Sequence, residues 1–380
     1  MIKKKICFVN LASPDFLGGI SLYQKNLIKN ISLDKFEITW VYKSTKEERH
    51  SKDGINYVGL KTKKVFFIDD FLFNNKVGKY LRDNYFDIIN SNATSGYWLK
   101  NYKKKKGQKI IHTYHGSAIP YFKIWLGKFN FLKRILISSF LLPLGYLIDK
   151  PPMQKADKII CVSEKVKNEI ERNYFKRENI FVVRTGVDVS RFKPLNRKEV
   201  RKKINLNPNF IYGMYVGKGG YWIKGLDRAM KLSEEIYKIN KNFRLIVIGS
   251  DYEKVKNLIN KKFVIYIKEL DRNRIPLYYS SSDLFLCLSR YEGGAPTLVV
   301  SEAMASGCLL VCSRDSKQEI LKDNDNCVEI DKFNYKSAKK IIYVLSNEKI
   351  KKRLTQDSIK KIKELSLKEW SKRMIKVLLN

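Results

Sequence analysis

Two carboxylates, Glu292 and Glu302, frame residues 291–307, YEGGAPTLVVSEAMASG, where a Gly-Gly-Ala-Pro turn leads into an apolar, helix-forming run. The preceding SDLFLCLS is apolar and bounded by Ser and Asp, the pattern of a buried strand. The unit is therefore strand, loop and helix, with both acids near the loop. In an open α/β sheet such a loop lies at the carboxyl ends of the strands, and the unpaired N–H groups of the helix start favour an anion. A phosphate-bearing ligand suits this arrangement, although a solvated acid beside a simple glycine turn has the same local pattern.

Three other places offer complementary groups. YVGKGGYWIKGLDRAM, residues 215–230, runs from a strand into a loop bearing Lys218 and Lys224. By themselves two lysines in a lysine-rich chain read as solvated surface. Gly18 and Gly19 open the helical pattern GGISLYQKNLIKNI soon after the first strand, where glycine lets the backbone approach a ligand closely. His115 ends the strand-like run in HTYHG, a place where a histidine by itself is commonly a hydrogen-bonded structural residue, and His112 reads that way.

These motifs resemble those of the retaining nucleotide-sugar glycosyltransferases of family four, which have the GT-B fold. Residues 291–307 resemble the donor-binding signature E-G-x-P, an apolar run, then E-A-M-A-x-G. Nine residues lie between Glu292 and Glu302, a longer interval than in the family. Glu292 fills the first-glutamate role only if the loop bulges, which Gly293 and Gly294 make sterically cheap. Residues 215–230 resemble Y-V-G-R followed by K-G-x-D, with Lys218 in place of the usual Arg. Lysine lacks the planar fork for bidentate phosphate contact. Gly18-Gly19 resembles the family's G-G-x loop and HTYHG its T-x-H-G pattern. RTGVDVSRFKP, residues 184–194, resembles its P-N-G-V-D segment, with Arg184 and Thr185 replacing Pro and Asn and Gly186 and Asp188 kept as turn formers.

The resemblance implies that Glu302 grips the donor's ribose hydroxyls and that Glu292 contacts the donor sugar near the reacting carbon. Gly18, Gly19, Lys218, Lys224, Gly294, Thr297 and Leu298 would surround the diphosphate, with Thr297 offering its amide. His115 would stand beside donor sugar and acceptor, and Glu292, His115 and Lys224 would be the catalytic set. The implied reaction moves a hexosyl group from a nucleoside-diphosphate sugar to a hydroxyl acceptor, a glycan or a lipid-linked one, with retention and without an enzymic nucleophile. No cofactor or metal is expected, since lysines and amides take the place of a divalent ion. Surface polysaccharide, lipopolysaccharide or glycolipid assembly is the common setting. A GT-B sugar-nucleotide 2-epimerase and an inactive, membrane-associated binding subunit are the competing readings.

Two sheets are needed to hold these residues. KKICFVN, FEITWVY, FDIINSN, KIIHTYH and ADKIICVS alternate with helical patterns, and FIYGMYVG, FRLIVIGS, FVIYI, SDLFLCLS and CLLVCS repeat that grammar. The fold class is α/β, with two doubly wound, Rossmann-like domains. By resemblance they are of GT-B type, facing across a cleft, with a C-terminal helix returning to the first domain. The expected boundaries are residues 1–190 for an acceptor-side domain, 191–350 for a donor domain, and 351–380 for helices packing back on the first. The join falls in the charged, proline-containing stretch 188–209.

Composition bounds the partners. The 380 residues, 44% of them hydrophobic, suffice for two domains with their own cores. The net charge of +37 attracts phosphates or anionic lipid, and no helix-turn-helix, zinc-finger or aromatic RNA-binding signature accompanies the lysine runs, so nucleic acid is not expected. Six cysteines show no C-x-x-C pair, and Cys308 and Cys312 have no histidine cluster nearby, so a reducing compartment without metal binding is expected. The acidic pairs at 69–70 and 323–325 read as loop or turn residues. The opening MIKKKICFVNLASPD reads as a first strand rather than a secretion signal, and a cytoplasmic location follows. Residues 121–150 mix Trp, Phe, lysines and long apolar stretches, a composition that suits either an interfacial segment on an anionic membrane or a long buried helix.

Overall fold

The computed structural model describes residues 3–16, 18–63, 68–217, 220–249 and 252–379. The chain divides into two compact units, Met1–Arg184 with Trp370–Asn380, and Thr185–Glu369.

Unit 1 follows the order β1 (Lys4–Asn10), α1 (Gly19–Ile28), β2 (Phe36–Ser44), β3 (Glu48–Lys52), β4 (Ile55–Lys61), α2 (Ile68–Asp83), β5 (Ile88–Asn92), β6 (Lys109–Tyr114), α3 (Ala118–Leu126), α4 (Phe131–Lys155), β7 (Lys158–Cys161), α5 (Glu164–Asn173) and β8 (Ile180–Val182). The central strands are buried on both faces, which is why they read as unbroken apolar runs. The sheet order is β3-β4-β2-β1-β5-β6-β7-β8, parallel except for the β3–β4 hairpin. That hairpin turns on Asp53 and Gly54, both at positive φ (52° and 75°), as a tight two-residue connection requires. Strand order reverses between β1 and β5. Asp69 and Asp70, expected in a loop, occupy the first turn of α2, where both pair with Lys43 at 2.9 and 2.6 Å.

Unit 2 contains α6 (Arg197–Lys203), β9 (Ile211–Val216), α7 (Tyr221–Lys224), α8 (Leu226–Ile239), β10 (Phe243–Ile248), α9 (Tyr252–Ile259), β11 (Val264–Ile267), α10 (Ile275–Ser281), β12 (Leu284–Cys287), α11 (Leu298–Ala305), β13 (Leu309–Ser313), β14 (Val328–Ile330), α12 (Tyr335–Ser346) and α13 (Glu348–Lys363). Its six parallel strands are ordered β11-β10-β9-β12-β13-β14. Counted within the unit this is 3-2-1-4-5-6, the dinucleotide-fold order, with its switch point between β9 and β12.

The boundaries differ from those expected. The first division falls after Arg184 rather than 190, and the returning segment starts at Trp370 rather than 351. Helix α13 stays with unit 2 because Leu354 and Ile362 are buried in that unit's cores. Only α14 (Leu367–Leu379) reaches unit 1, where Trp370, Met374 and Leu378 are buried.

Candidate active site

The switch point of unit 2 is stitched together by side chains from the loops after β9 and β12. Gly225, at φ 71°, closes α7, and its backbone lies so near the end of β12 that an added Cβ would stand 2.0 Å from the Leu288 carbonyl oxygen. Only glycine fits there. Two residues on, Asp227 takes a two-pronged ion pair from Arg290, at 2.7 Å from Nη1 and 2.5 Å from Nη2. The Arg290 guanidinium also stacks 3.4 Å from the Trp222 ring centroid and donates to the Trp222 carbonyl, while its backbone N–H donates to Ile223 O at 2.7 Å. One arginine thus locks the β12 loop onto α7, a geometry that lysine would not reproduce.

That lock brings Lys224 and Glu292 together. Lys224 Nζ donates to both carboxylate oxygens of Glu292, at 2.8 and 2.9 Å. The lengthened loop therefore still carries Glu292 to the switch point, with Gly293 buried and Gly294 packed closely against Pro296 O and Thr297 Cα. Lys218 lies outside the described residues.

Helix α11 begins at Leu298 with no side-chain cap on its first turn and no acid there. Its leading N–H groups, from Leu298 onward, are the ones left for an anion. The Thr297 amide is not among them. It donates to Gln318 Oε1 at 2.7 Å, which corrects its expected role on the diphosphate. Four residues into the helix, Glu302 is buried and pairs with Arg272 Nη2 at 2.6 Å. Burial raises its pKa, and the Arg272 charge pulls it back down. Tyr279 lies beside the same carboxyl without a well-aligned hydrogen bond. Arg191, whose guanidinium donates to Arg272 O, adds a second positive field at Glu302.

Unit 1 presents a different surface at its own reversal point. Gly18 precedes α1 in an extended conformation, and a Cβ there would meet the Phe16 ring at 2.3 Å. Its N–H donates to Phe16 O, so the N–H groups left over at the helix start belong to Gly19 and the two residues after it. No acid occupies that first turn. Asn10 at the end of β1, Gln24 in α1 and Asn92 at the end of β5 form an amide network: Gln24 Oε1 accepts from Asn10 at 3.1 Å and from Asn92 at 3.3 Å. Because Asn92 Nδ2 donates to Gln24 and Asn90, its Oδ1 is the atom 3.0 Å from His115 Nε2. Nε2 must then carry the proton, leaving Nδ1 with its lone pair. Burial holds the His115 pKa down to about 4, so the ring is neutral at physiological pH.

Tyr23 stands edge-on to His115 at 4.6 Å and to Trp370 at 4.8 Å, and its hydroxyl donates to Met374 Sδ at 3.3 Å. The returning helix α14 therefore buttresses the histidine. His112 is fully buried with Nδ1 2.8 Å from Ser91 Oγ, a structural histidine. Among the described residues no cluster of three or more His, Cys, Asp or Glu is arranged to hold a metal ion. Sequence reasoning missed Asn10, Gln24, Asn92, Arg272, Arg290 and Gln318. Asp227 is the acid of the K-G-x-D pattern, and the pattern alone does not reveal its pairing with Arg290.

Residues 17–191 match the family described as Glycosyltransferase Family 4, and residues 196–361 match that described as Glycosyl transferases group 1. An uncharacterized glycosyltransferase of Methanocaldococcus jannaschii is 28% identical over 384 residues, spanning 98% of this chain and 96% of its own. Sucrose-phosphate synthase from Thermosynechococcus elongatus has a similar fold, with a TM-score of 0.82 at 16% identity over 99% of this chain and 98% of the other. HepE of Anabaena in complex with UDP-glucose superposes with a TM-score of 0.71 at 13% identity, over 98% of this chain and 99% of its own.

Proposed function

Because the chain belongs to the family-four glycosyltransferases of the GT-B fold, we propose that it transfers a hexosyl group from a nucleoside-diphosphate sugar to a hydroxyl of a glycan or lipid-linked acceptor, with retention. The observation that carries this reading is the Lys224–Glu292 pair at the switch point of unit 2, beside the uncapped start of α11. Lys224 and the first amides of α11, Leu298 onward, take the diphosphate. A cation held at a fixed place by a carboxylate needs little reorganisation as phosphate charge grows. Glu292 stands next to that cation, where it can also accept a sugar hydroxyl. Glu302 Oε1 is engaged by Arg272, so ribose hydroxyls fall to its other oxygen.

The bond from the anomeric carbon to phosphate breaks while the acceptor oxygen bonds on the same face. The acceptor's proton passes to the departing phosphate oxygen, so no covalent enzyme intermediate is needed. His115, neutral and with Nδ1 free to accept, orients a hydroxyl rather than supplying charge. A metal is not part of this scheme. Six unbridged, buried cysteines accord with a cytoplasmic setting, and polysaccharide or glycolipid assembly is the proposed context.

Labelled nucleotide sugars test the reading, uridine donors first because HepE was solved with UDP-glucose. Transfer, or slow donor hydrolysis without acceptor, is expected, with the product's anomeric proton coupling matching the donor's. Isomerised donor would replace this reading with a 2-epimerase, and binding without turnover would replace it with a binding subunit.

A further inference from the structure

Helix α4 has two halves in opposite surroundings. From Leu141 onward it buries a stripe at four-residue intervals, Leu141, Gly145, Asp149 and Met153, against the rest of unit 1. Gly145 permits close packing on α3, since a Cβ there would lie 3.1 Å from the Phe122 ring. Asp149 ties down the start of α3 by accepting from Ser117 Oγ at 3.1 Å, Ala118 N at 2.8 Å and Tyr174 Oη at 2.9 Å. Apart from Ile137, which packs in part against Phe122, Leu126 and Leu141, the apolar residues among the first ten have no such cover. Phe131, Leu132, Ile135, Leu136 and Phe140 are 75, 78, 53, 74 and 66% exposed. At about 100° per residue they occupy one half of the helix circumference, with Lys133 at its border. A continuous apolar surface of this kind on a folded chain marks an interaction site.

Charge identifies the occupant. Residues 116–148 contain no Asp or Glu but carry Lys123, Lys128, Lys133 and Arg134. A second copy of the chain would bring the same cations against these, on a molecule already at +37, so self-association is disfavoured. Anionic headgroups match both the cations and the apolar arc between them. Trp125, stacked with Lys128 Nζ 3.8 Å above its ring and edge-on to Phe129, adds the aromatic character of a membrane boundary. Although α4 is long and apolar enough to cross a bilayer, its uncovered part spans only about 15 Å against a hydrocarbon core of about 30 Å. It can lie in the interface without crossing.

We propose that residues 125–140 form an in-plane docking element for an anionic bilayer, with the apolar arc among the acyl chains and Lys128, Lys133 and Arg134 on the phosphates. Docking does not depend on the transferase reading, because it is measured without donor or turnover. The full chain should float with vesicles of equal parts phosphatidylcholine and phosphatidylglycerol at low salt, and far less with phosphatidylcholine alone. Leu132→Ser with Leu136→Ser should cut flotation about tenfold or more, with the thermal midpoint unchanged because both side chains are exposed. Lys133→Glu with Arg134→Glu should abolish the preference for phosphatidylglycerol. The proposal is overturned if the wild-type chain fails to float at low salt, or if the leucine variant floats equally well. Sedimentation showing a concentration-dependent dimer that the leucine variant dissolves would also overturn it, in favour of a self-interface.

Discussion

Where each sheet reverses its strand order, unit 1 gathers amides and a neutral imidazole, whereas unit 2 gathers Lys224–Glu292, Asp227–Arg290 and Arg272–Glu302. The scaffolds are alike, with parallel strands, loops at their carboxyl ends and helix starts beside them, so the contrast lies in the side chains. In unit 2 each of these three acids is matched to a cation, and each cation is thereby held in place. In unit 1 the network polarises and orients, but it adds no net charge around His115. The first arrangement suits a diphosphate and the second a hydroxyl group. Substitutions that make one region behave like the other test this division.

The largest effect is expected where a cation is removed from unit 2. Lys224→Ala should lower kcat by about 10²–10³-fold at saturating donor, the range for loss of one fixed group that stabilises developing charge. Steady-state turnover together with donor affinity checks it. A loss confined to KM would mean that Lys224 only binds.

Among the described residues each unit also buries one carboxyl, and the comparison extends to them. Glu302 is matched by Arg272, while Asp149 is held by two hydroxyls and an amide. Burial therefore raises the Asp149 pKa from 3.8 to about 6. The folded state binds the extra proton, so this group's contribution to stability is fully present below pH 4 and is lost as pH rises through 6. The whole swing is about 3 kcal/mol at 1.36 kcal/mol per unit. Urea unfolding of the wild type and of Asp149→Asn, compared from pH 4 to 6.5, should show the slope difference. Parallel curves would mean that Asp149 is ionised throughout.

A smaller loss is expected from the residue that positions the Lys224–Glu292 pair. Arg290→Lys keeps one positive charge near Asp227 but gives up the fork and the stack on Trp222, and a loss of about tenfold in kcat is the expected size. Because Arg290 acts through Lys224, the same change made in a Lys224→Ala background should add little. Additive losses would assign Arg290 a separate task.

Much of this architecture is legible in the sequence. Runs such as FRLIVIGS and CLLVCS announce strands because both faces of these sheets are covered, and the glycines and lysines of the loops stand out only by their resemblance to the family-four motifs. Strands β8 and β14 span three residues each and carry no periodic signal. The β3–β4 hairpin is polar along ERHSK, so only its Asp53-Gly54 turn could have revealed it. Arg272 and Arg290 are two among 75 basic residues, and nothing local distinguishes the ones that meet a buried acid. The amide network joins residues up to 82 positions apart, Asn10 to Asn92 through Gln24, and such proximity is a product of the sheet order rather than of spacing.

The finest test introduces charge into the neutral cluster. Asn92 Oδ1 lies 3.0 Å from His115 Nε2, so Asn92→Asp would set a carboxylate against the N–H that the ring already donates. An opposite charge at that range favours the protonated ring by about 1–3 pKa units, starting from about 4 in the wild type. Following the His115 ring protons by NMR, wild-type signals should stay constant from pH 6 to 8, while those of Asn92→Asp should titrate between about pH 5 and 7. The variant's turnover should then fall as pH drops through that new midpoint, because an imidazolium has no lone pair on Nδ1 to accept a hydroxyl proton. A wild-type His115 that already titrates near neutrality would erase the contrast between the two regions, since unit 1 would then present a charge of its own.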